Sequence, residues 1–274
     1  MRLFAAALAA LLATSVLHAE ELPIFDAHLH YSHDAWDMLP VSNILEILRK
    51  AGVKRALVSS SDDAGQQRLY NAAPDVIVPA LRPYRRRGEI GTWMRDESVI
   101  PYLEENLKKR LYVAIGEFHL SGADADLPVP RRMVALARQY DIFLHAHSDA
   151  EAVERLFKQW PQARILWAHS GFDRPEKVRD MLRKYPGLWA DLAFRTDHAS
   201  GGKVDPDWRA AFLEFPDRFL VGSDTFTPER WFYVPEHAKW SRGWLADLPK
   251  DVAERIAYKN GETVFGALLA RRRQ

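Results

Sequence analysis

The feature that most constrains the fold is an alternation. Eight short apolar runs, at 24–30, 53–60, 75–81, 111–119, 141–147, 163–169, 187–193 and 218–224, are separated by stretches with helical periodicity. The helical patterns cover 41–50, 64–73, 98–109, 130–140, 150–160, 175–185 and 207–215, and a last one at 250–270 follows the eighth run. Alternation of this kind implies a parallel sheet, and eight units imply that the sheet closes on itself. Local signals agree. Pro130, Pro175 and Pro206 fall near first helical turns, where a missing N–H costs nothing. Gly52 and Gly187 sit where a helix should stop and a strand begin. An open, doubly wound sheet is the alternative. It would carry a Gly-rich turn after the first strand, where this chain has HLHYSHDAW.

Residues 1–19 read as a cleavable signal peptide: a basic Met1-Arg2 head, an apolar run from Phe4 to Leu17, and a small residue, Ala19, before Glu20-Glu21. The apolar run is about 14 residues, short of the roughly 20 that span a bilayer. The expectation is a periplasmic or secreted protein with no stable membrane anchor after cleavage. Residues 20–274 form one domain of 255 residues, the usual size of a single (β/α)8 TIM barrel. Removing Arg2 with the leader takes the formal net charge from +1 to 0, which argues against a nucleic-acid partner or a membrane-coating role. There is no cysteine, so any metal must be held by nitrogen and oxygen. Oligomeric state, a homo-oligomer included, is left open.

The chemistry-bearing side chains stand at the far ends of the apolar runs. They are His28 and His30 in PIFDAHLHY, Glu117 in LYVAIGEFHL, His145 in DIFLHAHSD, His169 in RILWAHSG and Asp224 in RFLVGSDT. In a barrel these ends converge on one face, and i, i+2 residues of a strand point the same way. Each histidine alone reads as an ordinary core or surface residue. Together they would place several polar groups in the barrel mouth, where burial without partners costs kcal/mol apiece. One divalent site pairs them all. Asp191 in LWADLAF reads as a barrel-interior partner for a ligand, and His33 and His198 as loop histidines.

These motifs resemble the amidohydrolase superfamily across residues 22–270, and the stretch after LVGSDT is similar to its amidohydrolase-related branch. FDAHLH is similar to the family's first-strand motif, LHAHSD to its fifth-strand histidine and WAHSGF to its sixth, and KNGETVFG to the branch's terminal helix. AIGEFHL departs from the lysine common on strand four and is similar to the glutamate of TatD-type hydrolases. The resemblance implies that His28, His30 and Asp224 hold one metal, that Glu117 bridges, and that His145 and His169 hold a second. With one metal, His145 joins the first set and His169 polarises the substrate. The implied cofactor is one or two divalent ions, zinc by default, with manganese, iron or nickel as alternatives. Catalysis falls to Asp224 and His169.

Substrate contacts are assigned to Arg82, His147 and Arg195, with Arg85, Arg86 and Arg87 near the same face; His119 and His147 are open between ligand, orienting and substrate roles. Arginine suits carboxylate or phosphate, so an anionic small-molecule substrate is expected. The aromatic stretch 225–248 is expected to be an irregular lid or substrate wall. The resulting expectation is a metal-dependent hydrolase of a small ester, lactone, amide or phosphate ester. A mononuclear decarboxylase is the alternative within the same barrel family, a TatD-like nuclease is disfavoured by charge, and a catalytically silent ligand-binding barrel is the non-enzyme alternative.

Overall fold

The computed structural model describes residues 21–273; the expected signal peptide at 1–19 lies outside the described residues. Eight parallel strands pair in sequential order. They are β1 (Ile24–His30), β2 (Val53–Ser59), β3 (Ile77–Leu81), β4 (Ala114–Leu120), β5 (Phe143–Ser148), β6 (Ile165–Trp167), β7 (Leu188–Asp191) and β8 (Phe219–Leu220). The last strand returns to the first. Ala27 N donates to Val221 O (2.8 Å) and Asp224 N to His28 O (2.8 Å), which joins the two edges. All seven residues of β1 and all five of β3 are buried; β3 is accordingly apolar throughout, whereas β1 carries Asp26, His28 and His30 into the barrel.

Helices α1 (Val41–Lys50), α2 (Ala64–Ala72), α3 (Val99–Leu107), α4 (Pro128–Gln139), α5 (Ala150–Gln159), α6 (Pro175–Lys184) and α7 (Pro206–Glu214) cover the outside. Each lays an apolar stripe on the sheet, such as Val153, Leu156 and Phe157 of α5. Asp149 and Asp205 cap α5 and α7, accepting backbone N–H groups of the first turn. The helical segment 250–272 closes the N-terminal end of the barrel. Its Phe265 packs on Phe25 and Phe143 at 6.2 and 4.8 Å between ring centroids. Asn260 Nδ2 donates to Pro216 O and Phe219 O (2.9 Å each). Gly261 is required here, because a Cβ would lie 2.2 Å from the Phe25 ring.

Two stretches differ from expectation. Residues 225–248 are not irregular: a 3-10 turn, Pro228–Tyr233, leads into α8 (Val234–Leu245). Pro235 lies in the first turn, where proline is tolerated. Arg242 ties α8 down by donating to Leu22 O (2.8 Å) and Ala51 O (2.9 Å). This helix packs on the barrel wall, and of the whole stretch only Phe226 lines the pocket over the cluster of site residues. Between β7 and α7, Ala199–Ser200 and Lys203–Val204 form an antiparallel ribbon around Gly201-Gly202. Among the described residues no helix is long and apolar enough to cross a membrane.

Candidate metal centre

The strand ends bring His28, His30, Glu117, His147, His169 and Asp224 together at the C-terminal mouth. The lateral placement of Glu117 depends on Gly116, at φ 132°, where a Cβ would lie 2.2 Å from His145 O on the neighbouring strand. Glu117 stands at the centre of the group. Its Oε1 is 2.8 Å from His147 Nδ1, 3.5 Å from His169 Nε2 and 3.5 Å from His28 Nε2. Its Oε2 is 3.1 Å from His30 Nε2. Asp224 Oδ1 lies 3.4 Å from His30 Nε2 and 3.8 Å from His28 Nε2.

The backs of the imidazoles fix where their protons sit. Asp191 is fully buried, and its carboxylate can only accept, so His28 Nδ1 donates to Oδ2 (3.2 Å) and Nε2 is turned to the mouth. His169 Nδ1 donates to Ala193 O (2.8 Å), which leaves its Nε2 lone pair facing Glu117 and His147. His30 Nδ1 rests on Ser59 Oγ (3.0 Å), and its Nε2 faces that of His28 at 3.1 Å. Metal-binding histidines characteristically have the other ring nitrogen held in this way.

The positions bear on three of the expected site residues. His145 Nε2 is turned to Asp191 Oδ2 (3.2 Å) and groups with His28 and Asp191 within 4.8 Å, while His147 stands beside Glu117 and His169. His145 and His147 share one face of β5, so the sequence could not say which reaches the mouth. Arg82, expected to face substrate, is buried and bonded to Glu117 through Nη2–Oε2 (2.9 Å) and Nε–O (3.1 Å). Arg195 is also buried; it pairs with Asp197 and donates to His169 O (3.0 Å) and Asp173 O (2.9 Å). Neither guanidinium lines the pocket. Arg85 is occupied by Glu89 and Asp96.

Asp191 supports the site as expected of it, and also anchors the turn after β6 by accepting from His169 N through Oδ1 (2.9 Å). Tyr84 was not singled out from the sequence. Its hydroxyl accepts from His119 N (2.6 Å) and so donates to His119 Nδ1 (2.9 Å), which leaves the His119 proton on Nε2. His33, expected in a loop, opens a one-turn helix, His33–Trp36, after β1, with Nδ1 on Ser61 O (2.9 Å). His198 lies in the turn before Ala199–Ser200, as expected, but is fully buried against Trp240 and Trp244, with ring centroids 5.0 and 4.9 Å away.

The electrostatics are those of an anionic pit. Burial opposes ionisation of Glu117, but His28 and the neighbouring imidazoles of His147 and His169 outweigh it and hold the carboxyl well below its usual range. Asp224 is likewise held down, to about 2, by His28 and His30 against burial. Asp191 is lowered further by His28 and His145, again against burial. The same carboxylates raise His28 well above its usual value despite its burial. Burial leaves His145 and His119 neutral, at about 4 and about 3. The carboxylates that favour the protonated His28 would equally favour a bound cation in place of that proton. Among the described residues, His28, His30 and Glu117, and separately His28, His169 and Asp224, each offer ligand atoms within 4.8 Å of one another. Imidazole nitrogens and ionised carboxylates converging in this way fit a divalent cation held by nitrogen and oxygen.

No match was found among curated proteins. The fold is similar to an uncharacterized TIM-barrel protein from Bordetella bronchiseptica, at 15% identity over 91% of this chain and 100% of that one (TM-score 0.67). It is similar to a putative 2-pyrone-4,6-dicarboxylic acid hydrolase from Pseudomonas putida, at 13% identity over 89% and 98% (TM-score 0.58). An amidohydrolase 2 protein from Bifidobacterium longum subsp. infantis matches at 17% identity over 89% and 99% (TM-score 0.54). At such identities these likenesses establish the barrel alone. The family assignment rests on the amidohydrolase family model, which matches residues 25–267, nearly the whole described chain. The chain belongs to the amidohydrolase family.

Proposed function

We propose that the protein is a metal-dependent hydrolase of a small ester, lactone, amide or phosphate ester, with one or two divalent ions held by His28, His30, Glu117, His147, His169 and Asp224. One observation carries this reading. His28 and His169 have Nδ1 committed to Asp191 and Ala193 O, so both turn Nε2 toward ionised Glu117 and Asp224, where a cation would take the place of a proton. Zinc is the default, with manganese, iron or nickel as alternatives. The two oxygens of Glu117 reach different partners, Oε1 toward His147 and His169 and Oε2 toward His30, as a bridging carboxylate would.

A divalent cation bound there supplies Lewis acidity and lowers the pKa of its water from about 15.7 to about 7. Asp224, ionised and at the pocket surface, accepts the proton of the attacking water and returns it to the leaving group. His169 has no proton on Nε2 to offer substrate, which favours a ligand role over a polarising one. His119 lines the pocket and carries its proton on Nε2, so it is the better donor to a substrate oxygen. A periplasmic or secreted location goes with this proposal and rests on residues 1–19.

Mononuclear decarboxylation is the second reading, favoured by one contact: Arg82 already neutralises Glu117 at Oε2 (2.9 Å). Each carboxylate oxygen has a second lone pair, so bridging survives that contact. Metal content per chain of residues 20–274, purified without chelator or polyhistidine tag, separates the readings. Two ions support the Glu117-bridged hydrolase, and one moves weight to decarboxylation. None, after zinc or manganese is added back, refutes the metal centre.

A further inference from the structure

Phe172, Phe194 and Phe226 stand around the mouth, each about half exposed (50%, 49% and 49%). The same chain buries Trp93, Trp167, Trp208, Trp231 and Trp244 almost completely, and apart from Phe232 and Tyr233 these three phenylalanines are its most exposed large aromatics among the described residues. The three rings are continuous with one another and with the candidate metal centre. Phe172 stacks on His169 (4.6 Å, 14°), meets Phe194 edge-on (6.4 Å, 83°), and Phe194 meets Phe226 edge-on (5.5 Å, 86°). Two are held there against their own backbone preference: Phe172 and Phe194 have φ of 53° and 55°. Bulky residues rarely adopt this left-handed conformation, and such strain clusters where a ligand is clamped.

The pocket these rings enclose with Ile90, Glu117, His119, His147, His169 and Asp224 measures about 260 Å³ and has no lysine or arginine in its lining. A second cavity of about 610 Å³ shares Phe194 as a wall and has Arg195 and Arg230 in its lining. Arg82 is spent on Glu117 (2.9 Å), and Arg230 does not line the ring-enclosed pocket. It donates to Ser223 O (2.7 Å) and Asp224 O, and lies against the faces of Phe194 and Phe226 at 4.6 and 4.9 Å.

We propose that Phe172, Phe194 and Phe226 form the specificity subsite, and that the substrate carries an uncharged aromatic group beside the bond that is cut, not the anionic group suggested by the arginine-rich sequence. The inference rests on the hydrolase reading only for which bond is cut; the binding of the ring does not depend on metal. A flat ring slid between Phe172 and Phe226 would gain edge and face contacts with the exposed sides of these rings. Its reacting carbonyl would then lie toward the end of the pocket lined by Glu117, His119 and Asp224.

The test is calorimetric titration of 2-acetonaphthone, a neutral arene carrying a carbonyl, into the chelator-treated and the zinc-loaded protein. Saturable binding to both is expected. The Phe194→Ala/Phe226→Ala variant should bind about tenfold or more weakly, and Phe194→Tyr/Phe226→Tyr should restore binding, with thermal unfolding of each variant matching the wild type. No binding to wild type, undiminished binding to the alanine variant, or tighter binding of the aliphatic dianion glutarate would overturn the proposal. Failure of the hydrolase reading looks different: the arene still binds, but zinc-loaded protein takes up no metal or leaves 2-naphthyl acetate intact.

Discussion

Asp191→Asn tests whether proton placement behind the histidines makes the site. In the native chain Oδ1 accepts from His169 N (2.9 Å) and Ala193 N (3.0 Å), while Oδ2 faces His28 Nδ1 and His145 Nε2 (3.2 Å each). An asparagine has one accepting and one donating end. The two backbone N–H groups can only donate, so they claim the amide oxygen, and the NH2 must face the imidazoles. His28 then has to accept at Nδ1 and carry its proton on Nε2, the atom 3.5 Å from Glu117 Oε1. The lone pair needed for a metal is gone. Loss of such an outer partner typically costs 10–100-fold in metal affinity, or about 1.4–2.7 kcal/mol. Because every hydrogen bond can be re-formed, the fold should persist. Zinc affinity against a chromophoric chelator and imidazole ¹⁵N shifts would check both halves. Unchanged affinity with the His28 proton still on Nδ1 would refute the reasoning.

Three further outcomes follow from the same geometry. His147→Ala should lower the metal content per chain, whereas His145→Ala should act mainly on thermal stability; the reverse pattern would return His145 to the ligand set. Asp224→Asn should retain metal and lose on the order of 10²–10⁴-fold in turnover, and full activity would remove its proton role. His198 should make the protein acid-labile. Burial depresses its pKa to about 3 in the fold, against about 6.5 in the unfolded chain, so the unfolded state binds more protons between those values. The stability is therefore complete above about pH 6.5 and is lost as pH falls toward 3. His198→Phe should move the acid-unfolding midpoint down, as circular dichroism would record; an unmoved midpoint would clear this residue.

The barrel was legible because its determinants are local. Eight apolar runs and the first-turn prolines mark strands and helices without reference to distant residues, and observed bounds fall within a few positions of those read from the sequence. The donors were legible as types for the same reason, since a histidine or acid ending an apolar run is unusual. What stayed illegible was direction. The i, i+2 rule puts His145 and His147 on one face but cannot say which clears the rim, and that is decided by Asp191, one residue on another strand. Arg82 and Arg195 looked like substrate contacts because guanidinium suits anions; the anions they found are Glu117, Asp197 and backbone carbonyls. The burial of His198 was not legible because the helix that buries it, α8, was hidden behind Pro228, Pro235 and Gly243. The Gly201-Gly202 hairpin signal was present and went unread.

Arg195 also bears on how the mouth is held together. Of the non-glycine residues with left-handed φ, Arg110 and Asp141 simply follow helices, but His169, Ser170, Phe172, Phe194 and Asp224 all lie at the ends of β6, β7 and β8. At about 1–2 kcal/mol each, that strain rivals the net stability of a typical domain, so the turns must be over-determined by their contacts. Arg195 spans two of them. It donates to His169 O and Asp173 O from one guanidinium, with Asp197 fixing the other edge at 2.9 and 2.6 Å. A lysine keeps the charge but cannot serve both carbonyls and a bidentate carboxylate at once. Arg195→Lys should therefore lose about 2–3 kcal/mol in urea unfolding, the scale of hydrogen bonds to charged groups, and lower turnover because His169 is no longer held. Were Arg195 a substrate contact instead, the same change would raise KM and leave stability where it was.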